Sequence, residues 1–369
     1  MLQNQALLDD TPATSPSITP VPPAPAPSGF SLPPLQDKFG RTFDYVRIAI
    51  TDRCNLRCTY CMPEEGVEFG HKDTIITTAE TLRIISVLAK IGIKKVRFTG
   101  GEPTIRKDLP QLIAGAAATP GIKGVHLTTN GLLLHRMAKD LLAAGLTGIN
   151  ISLDSMDADR FMRITRRPGV ETVLNNIQLA LDVGYPRVKV NVVLMRGFNE
   201  DELEKFTRYT KDHAVTVRFI EFMPFDADQI WGTGDHFASA ETIVNKIKSL
   251  YPDIGPAPGT RTEHHIFKVP GWAGKIAVIP AFTRSLCGNC SRIRVTADGS
   301  IRNCLYSDEQ YNLRQIMRSG GSDADMIALF RKAFAEKAID GYESKKLSDA
   351  KGLLDTTQQH RGSMTQIGG

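Results

Sequence analysis

The chain of 369 residues has little cysteine, few aromatic residues and no long apolar run. Without an apolar stretch of about 18 residues, no transmembrane helix is predicted. The N-terminal residues lack the basic start and apolar core of a secretory signal, and they are not arginine-rich like a transit peptide. These absences predict a cytoplasmic protein with no membrane partner, in which the six cysteines remain thiols.

Charge of either sign is also modest. The net charge is +5 at pH 7 and no dense lysine or arginine tract is present, so nucleic acid is not expected as a partner. A mild positive excess suits an anionic substrate, although many proteins share it. The hydrophobic fraction of 41% is enough for one large or two ordinary domains.

Proline, alanine, serine and threonine dominate the start of the chain. Residues 1–36 carry too little large apolar surface to offset the entropy lost on ordering. We therefore predict a disordered tail, passive rather than a docking segment.

From about residue 40, short β-rich runs alternate with helical patterns. About six βα units predict a parallel sheet with helices outside, but periodicity does not choose between an open doubly wound sheet and an incomplete barrel. After about residue 255 the repeat gives way to short strands and a charged terminal helix. Ligands are expected at the carboxyl edge of such a sheet. The predicted strands are 45–51, 95–99, 125–128, 148–153, 188–194 and 215–222, and the predicted helices after a capping box at 77–80 include 106–117, 132–144, 170–183 and 201–213.

The cysteines fall into two triplets. Cys54, Cys58 and Cys61 form C-x3-C-x2-C, and a C-x2-C pair is followed, after 13 intervening residues, by a sixth cysteine. Structural zinc needs four ligands, and no histidine is well placed to complete either triplet. A [4Fe–4S] cube held by three thiolates leaves one iron open for a small molecule, which explains the triplets better. The second triplet is Cys287, Cys290 and Cys304.

Four arginines occupy strand positions. Arg47 and Arg97 interrupt apolar runs, while Arg292 and Arg294 are two residues apart and face one side of a strand. Guanidinium forks bind phosphate oxygens in pairs, so together they favour a polyphosphate site. Taken singly, each could pair with a carboxylate such as that of Asp52 or Glu102.

The order of the motifs carries a family resemblance. CNLRCTYC after a first strand and the GGEP of Gly100–Pro103 after a second resemble the radical SAM superfamily, whose enzymes use S-adenosylmethionine. The segments DKFGRTFDYVRIAIT, LTTNGLLL, INISLD, VRFIEFM and SLCGNCSRIRVTADGSIRNCL resemble the GTP 3′,8-cyclase family of molybdenum-cofactor synthesis. The resemblance runs from about residue 37 to residue 369.

The resemblance implies an α/β fold, an incomplete (β/α)6 TIM-like barrel with a C-terminal extension that carries a second Fe–S cluster. The corresponding boundaries are the tail 1–36, a radical SAM partial barrel 37–255, an auxiliary-cluster and substrate-binding region 256–355, and a flexible C-terminal tail 356–369. The last two residues, Gly368 and Gly369, are expected to reach into the active site.

The resemblance also implies the cofactors. The first triplet would hold a [4Fe–4S] cluster whose open iron chelates S-adenosylmethionine, and Cys54, Cys58 and Cys61 are therefore assigned as catalytic. Reductive cleavage then gives a 5′-deoxyadenosyl radical. Met223 could equally be a packing residue and the GGEP glycines could serve only the turn, while Asn191 is a weaker candidate. The implied cofactor contacts are Tyr60, Gly101, Ser152 and Met223.

The second triplet would hold the second [4Fe–4S] cluster, with the guanine of GTP at its open iron. Hydrogen abstraction from ribose C3′ and bond formation to C8 would give the cyclised nucleotide, in the first step of the pathway. Arg292 and Arg294 are counted as catalytic in this reaction. The implied GTP contacts are Arg47, Arg97, Thr128, Lys189, Arg292, Ile293 and Arg294.

Partners follow from the same resemblance. We expect an electron donor such as flavodoxin or ferredoxin, a homodimer, and transfer of the product to cyclic pyranopterin monophosphate synthase. Two alternatives remain: another radical SAM enzyme with an auxiliary cluster, such as a peptide-modifying maturase, and a non-catalytic zinc-binding module.

Overall fold

The computed structural model describes residues 32–223, 236–258, 265–283, 287–307, 311–350 and Thr365. Residues 1–31 of the predicted tail and the terminal Gly368 and Gly369 lie outside the described residues. Leu35, which the sequence analysis assigned to the tail, is fully buried in the core, and its amide donates to Ile91 O over 2.9 Å.

Twelve strands of the described chain form one sheet, in the order β12-β11-β10-β1-β2-β3-β4-β5-β6-β9-β8-β7. Strands β1 to β6 are parallel and follow one another without a reversal of order. A doubly wound sheet would reverse direction part-way, so the structure is the incomplete barrel. The strands are β1 (Tyr45–Ala49), β2 (Lys95–Thr99), β3 (Gly124–Thr129), β4 (Gly148–Ser152), β5 (Val188–Leu194), β6 (Thr216–Glu221), β7 (Gly255–Pro256), β8 (His265–Lys268), β9 (Lys275–Ile279), β10 (Arg292–Val295), β11 (Ser300–Arg302) and β12 (Tyr311–Asn312).

The C-terminal region extends the same sheet at both edges. Strand β10 lies parallel to β1, and β9 lies parallel to β6. The hairpin partners β11 and β8 are antiparallel to them. Residues after 255 therefore add strands to both edges of the sheet, and the second cysteine triplet lines the same cavity as the first.

Helices cover the outer face of the sheet. The predicted capping box is present, since Thr77 accepts from the amide of Glu80 and the Glu80 carboxylate accepts from the amide of Thr77. The predicted helix 132–144 is instead a 3-10 turn, Leu134–Arg136, followed by a shorter helix. The helices are α1 (Thr78–Lys90), α2 (Leu109–Ala118), α3 (Ala138–Ala143), α4 (Ala158–Thr165), α5 (Val170–Val183), α6 (Leu203–Asp212), α7 (Ala240–Leu250), α8 (Leu313–Arg318), α9 (Asp323–Ala335) and α10 (Gly341–Ala350).

The two faces of the sheet differ in chemistry because side chains alternate along a strand. Val46 and Ile48 of β1 are fully buried in the apolar core between sheet and helices. Their neighbours Tyr45 and Arg47 point to the inner face instead. The inner face is therefore lined by polar and cationic groups, where a closed barrel would pack aliphatic side chains.

Candidate functional site

A cavity of about 380 Å³ lies on the inner face of the sheet. It extends from the carboxyl edge of the parallel strands, where the first cysteine loop follows β1, to the opposite edge, where the second loop precedes β10. The structure thus differs from the expectation that all site residues gather at the carboxyl edge. The predicted residues that line the cavity are Arg47, Cys54, Cys58, Tyr60, Cys61, Arg97, Gly101, Thr128, Ser152, Lys189, Met223, Cys287, Cys290, Arg292, Arg294 and Cys304.

Ile293 is the exception among the predicted site residues. Its side chain is fully buried in the apolar core, on the face of β10 opposite Arg292 and Arg294. A contact between Ile293 and a ligand would have to use its backbone, and this remains a prediction.

The first cysteine loop is a compact turn tied to a neighbouring helix. The amides of Cys61 and Met62 donate to Cys58 O over 2.9 and 3.1 Å. The amides of Arg57 and Thr59 donate to the end of α4, at Thr165 O and Ile164 O. This places the three thiols at the mouth of the cavity.

Gly100 and Gly101 pack against the segment that precedes the first cysteine. A Cβ atom at Gly100 would lie 2.2 Å from Thr51 O, and one at Gly101 would lie 2.1 Å from Arg53 O. Gly101 N donates to Thr51 O and Glu102 N to Arg53 O, each over 2.8 Å. Glycine is therefore required for the fit between the two loops, whatever contact it makes with a cofactor.

The carboxylates considered as arginine partners are used elsewhere. Glu102, 1% exposed, accepts from the hydroxyls of Thr104 and Thr129 and from the amide of Asn130, each over 2.6 Å. Asp52 Oδ2 accepts from the amide of Gly70. Neither carboxylate pairs with Arg47 or Arg97, so the alternative of internal ion pairs to these two groups is wrong.

The second cysteine loop is braced from distant parts of the chain. Arg41 donates to Cys287 O over 2.9 Å and to Ala338 O over 2.8 Å, and an ion pair of 2.6 Å with Asp37 holds its guanidinium. Lys337, 3% exposed, donates through Nζ to Asn303 O, next to Cys304. Sequence analysis missed Arg41 and Lys337, because nothing local to either residue marks this contact.

Three free thiols in one loop, those of Cys54, Cys58 and Cys61, are a donor set that fits an iron–sulfur cluster. Within the described ranges, no group of three or more His, Cys, Asp or Glu side chains is arranged around one ion. Thiolates of a cube bind different irons and so lie further apart than the ligands of one ion. Burial raises the pKa of Cys54 to about 11 and that of Cys58 well above its usual value, so both thiols are protonated at neutral pH, and a metal that bound them would displace these protons.

Two rows of cationic side chains cross the inner face. In sheet register, Arg294 lies beside Arg47 and Arg47 beside Arg97, while Arg292 lies beside Tyr45 and Tyr45 beside Lys95. Burial, and then the charges of Arg47 and Arg292, lower the pKa of Arg294 to about 9. Such crowding of buried like charges is costly without an anion.

Two residues that line the cavity each carry a buried side-chain atom without a hydrogen-bond partner among the described residues. Arg292 Nε and Asn191 Oδ1 are buried and have no hydrogen-bond partner among the described residues. Unpaired buried polar atoms are rare, and in a cavity they indicate where a ligand binds. The donor and the acceptor together suit a ligand that carries both anionic and amino groups.

Polar contacts organise the end of the cavity near the first loop. Tyr60 donates to Asp154 Oδ2 over 2.6 Å, and the amide of Val193 donates to Asp154 Oδ1 over 2.8 Å. Burial raises the pKa of Asp154 to about 6. The hydroxyl of Tyr306 lies 3.2 Å from Met223 Sδ, which orients that thioether in the cavity wall.

Several lining residues were missed from the sequence although a signal was present. Tyr45 and Lys95 alternate with apolar residues and share a face with Arg47 and Arg97, which are two positions further along their strands. Asn150 and Arg218 are buried and line the cavity from β4 and β6. All four lie two positions from a predicted site residue or alternate with apolar residues along a strand, so the two-residue repeat of side-chain direction predicts that they face the cavity.

Two family profiles match successive parts of the chain. The radical SAM superfamily matches residues 48–210. The family described as Molybdenum Cofactor Synthesis C matches residues 215–342. The GTP 3′,8-cyclase of Chlorobaculum tepidum is 42% identical over 91% of this chain and 97% of its own length. The chain belongs to the GTP 3′,8-cyclase family of the radical SAM superfamily.

Further members of this family match over similar ranges. The GTP 3′,8-cyclase of Listeria monocytogenes is 40% identical over 91% of this chain and 99% of its own. The human protein named molybdenum cofactor biosynthesis protein 1 is 40% identical over 82% of this chain, which spans about half (48%) of that relative.

Solved structures agree on the fold. The crystal structure of Streptococcus suis SuiB bound to S-adenosylmethionine has a TM-score of 0.52 at 15% identity, over 73% of this chain and 61% of that one. The structure described as native anSMEcpe with bound AdoMet and Cp18Cys peptide has a TM-score of 0.51 at 14% identity, over 83% of each chain. The predicted incomplete barrel is confirmed.

Membership of the radical SAM superfamily implies S-adenosylmethionine and a [4Fe–4S] cluster as cofactors. None of the helices in the described parts of the chain is both long and apolar enough to span a membrane.

Proposed function

We infer that the chain is a radical SAM GTP 3′,8-cyclase that acts in the first step of molybdenum-cofactor synthesis. The observation that carries this proposal is one cavity with a cysteine triplet at each end and two cationic rows on its wall. The named relatives support it, since this chain matches nearly the full length of the two bacterial enzymes.

At the carboxyl edge, Cys54, Cys58 and Cys61 would hold the first [4Fe–4S] cluster, which supplies the electron that cleaves S-adenosylmethionine. Tyr60, Gly101, Ser152 and Met223 would position that cofactor; all four line the cavity near this loop. The orphaned Asn191 Oδ1 is an acceptor suited to the amino or hydroxyl groups of the cofactor.

At the opposite edge, Cys287, Cys290 and Cys304 would hold a second [4Fe–4S] cluster and bind the guanine end of GTP. The triphosphate would bind to Arg47, Arg97, Lys189 and the pair Arg292 and Arg294, with Thr128 as a hydroxyl donor. Their crowded positive charge stabilises a polyanion, and the orphaned Arg292 Nε supplies a further donor. Ribose C3′ would then lie between the two ends, where hydrogen abstraction from C3′ and closure onto C8 would occur.

Several properties extend this proposal. The electron donor would be a flavodoxin or ferredoxin, the enzyme would be a cytoplasmic homodimer, and cyclic pyranopterin monophosphate synthase would receive the product. The boundaries at residues 255 and 355 would divide the partial barrel, the auxiliary-cluster region and the C-terminal tail. Buried Thr365 lines the cavity and supports a tail that reaches the site.

The test is an anaerobic assay of the reconstituted protein with S-adenosylmethionine, dithionite and GTP deuterated at C3′. We expect 5′-deoxyadenosine that carries the deuterium, together with the cyclised nucleotide, both measured by mass spectrometry. A Cys304→Ala variant serves as the control and should lose the cyclised nucleotide. Deoxyadenosine without deuterium, and unchanged GTP with both clusters intact, would mean that the substrate is a different molecule.

A further inference from the structure

The two cationic rows converge on the phenol oxygen of Tyr45. Arg97 Nε donates to this oxygen over 2.6 Å and Arg47 Nε over 3.2 Å. Tyr45 is 5% exposed, and Lys95 Nζ lies 4.9 Å from its ring centroid. No acceptor for the hydroxyl proton of Tyr45 is found in the described part of the chain. An oxygen that receives two guanidinium donors, with no described protein group to accept a hydrogen bond from it, is placed as an anion would be.

The charged groups that face Tyr45 come from three neighbouring strands. They are Arg47 on its own strand, Lys95 and Arg97 on β2, and Arg292 and Arg294 on β10, with the Cys290 thiol next to the last two. Burial opposes ionisation of the phenol, but the positive charges of Arg97, Arg47 and Lys95 outweigh burial and lower the pKa of Tyr45 to about 6. The cavity therefore stabilises negative charge at the place where a phosphate would bind.

We propose that Tyr45 is the internal counter-ion of the cavity. Its phenolate oxygen accepts hydrogen bonds from Arg47 and Arg97 and so holds their guanidinium groups in place. When a polyphosphate binds, its oxygens accept these hydrogen bonds instead. The phenolate then takes one proton from solvent and becomes a neutral phenol, with no other bond made or broken. This inference rests on the proposed function for the identity of that polyphosphate, the triphosphate of GTP.

Proton linkage provides the test, because binding of an anion next to Tyr45 raises its pKa again. Calorimetric titration of the reconstituted protein at pH 7.5, in buffers with different heats of ionisation, counts the protons taken up. GTP and inorganic tripolyphosphate are the probes. We expect the native protein to take up about one proton more per bound probe than a Tyr45→Phe variant, because phenylalanine cannot ionise. Protons that the probe itself gains or loses on binding contribute equally to the counts for the native protein and the variant, so they cancel in the difference.

Tyr185→Phe is the matched control. Tyr185 is equally buried, donates to Ala138 O over 2.6 Å, and burial raises its pKa beyond the range of the experiment, so its removal should leave the proton count unchanged. Equal proton counts for the native protein and Tyr45→Phe, with both probes bound, would overturn the counter-ion role. A proton difference with tripolyphosphate but no binding of GTP would keep this role and overturn the GTP-cyclase proposal.

Discussion

The two cysteine loops are built in different ways. The first triplet spans eight residues and directly follows a central strand, so its thiols are brought together by a short turn and its bonds to α4. The second triplet spans eighteen residues, and its loop is held by Arg41 from the start of the domain and Lys337 from its end. The first loop is a local structure placed on the barrel, whereas the second exists only when distant segments have packed.

The two cysteine loops also differ in the chemistry of the residues around them. The first loop faces residues near the carboxyl ends of strands, where radical chemistry would begin. The second loop precedes β10, where one cationic row lies at the first residues of β1, β2 and β10 and the other lies two residues further along. We therefore expect damage to each loop to have distinct consequences.

The largest expected effect separates the loops by chemistry. Cys58→Ala should abolish 5′-deoxyadenosine formation altogether, because one of three thiolate ligands of the first cluster is lost. Cys290→Ala should keep deoxyadenosine formation but yield no cyclised nucleotide. Both products are measured by mass spectrometry after anaerobic turnover. Cyclised nucleotide from Cys290→Ala would show that the second triplet is not needed for the reaction.

A second prediction compares Arg41 and Arg57, the arginines that donate to backbone carbonyls of the second and the first cysteine loop. Arg41→Met removes a nearly buried cation from the fully buried carboxylate of Asp37 and takes the Arg41 donors away from three backbone carbonyls, so the free energy of unfolding should fall by about 3 kcal/mol. Iron content should fall toward that of one cluster. Arg57→Met is the matched variant at the first loop, where the guanidinium of Arg57 donates to the nearby Cys54 O and Leu56 O.

Chemical denaturation and iron analysis measure both variants. Arg57→Met should change stability by less than about 1 kcal/mol, the usual contribution of a partly exposed hydrogen bond. If the two variants lose the same amount of iron and stability, the second loop does not depend more on remote contacts than the first.

The smallest of the three effects concerns glycine. Gly101→Ala would place a Cβ atom 2.1 Å from Arg53 O and should cost about 2 kcal/mol as the loops separate. Gly288→Ala is the control in the second loop, because a Cβ atom there meets nothing within 4 Å. Affinity for S-adenosylmethionine, measured by calorimetry, should fall only in Gly101→Ala; an equal fall in both variants would contradict the close packing of the first loop.

Much of the site could be predicted from the sequence where the signal is local. The spacing of Cys54, Cys58 and Cys61 and the GGEP segment are contiguous, so their chemistry can be read without a fold. The arginines were predicted because a charge inside an apolar strand is unusual. Ile293 shows the limit of motif transfer, since strand alternation turns its side chain to the core while its neighbours face the cavity.

Secondary structure, too, could be predicted where the signal is local and not where tertiary contacts decide it. The strands and the capped helix α1 were predicted because periodicity and capping are encoded within a few residues. The helix predicted over 132–144 was wrong in its first half, where Leu134–Arg136 forms a 3-10 turn before α3. The turn packs against α5, and such tertiary contacts override local helix propensity.

The sequence by itself determined the cluster-binding motif, the βα repeat and the cationic strand positions, because each depends on neighbours along the chain. Only the tertiary structure decided that β10 pairs with β1 and so aligns Arg294, Arg47 and Arg97 in one row. It also decided that Tyr45 receives two of these guanidinium groups and that Arg41 braces a loop 246 positions away. Contacts of this kind depend on how the sheet edges meet, and pairing between distant strands leaves no periodic signal in either strand alone.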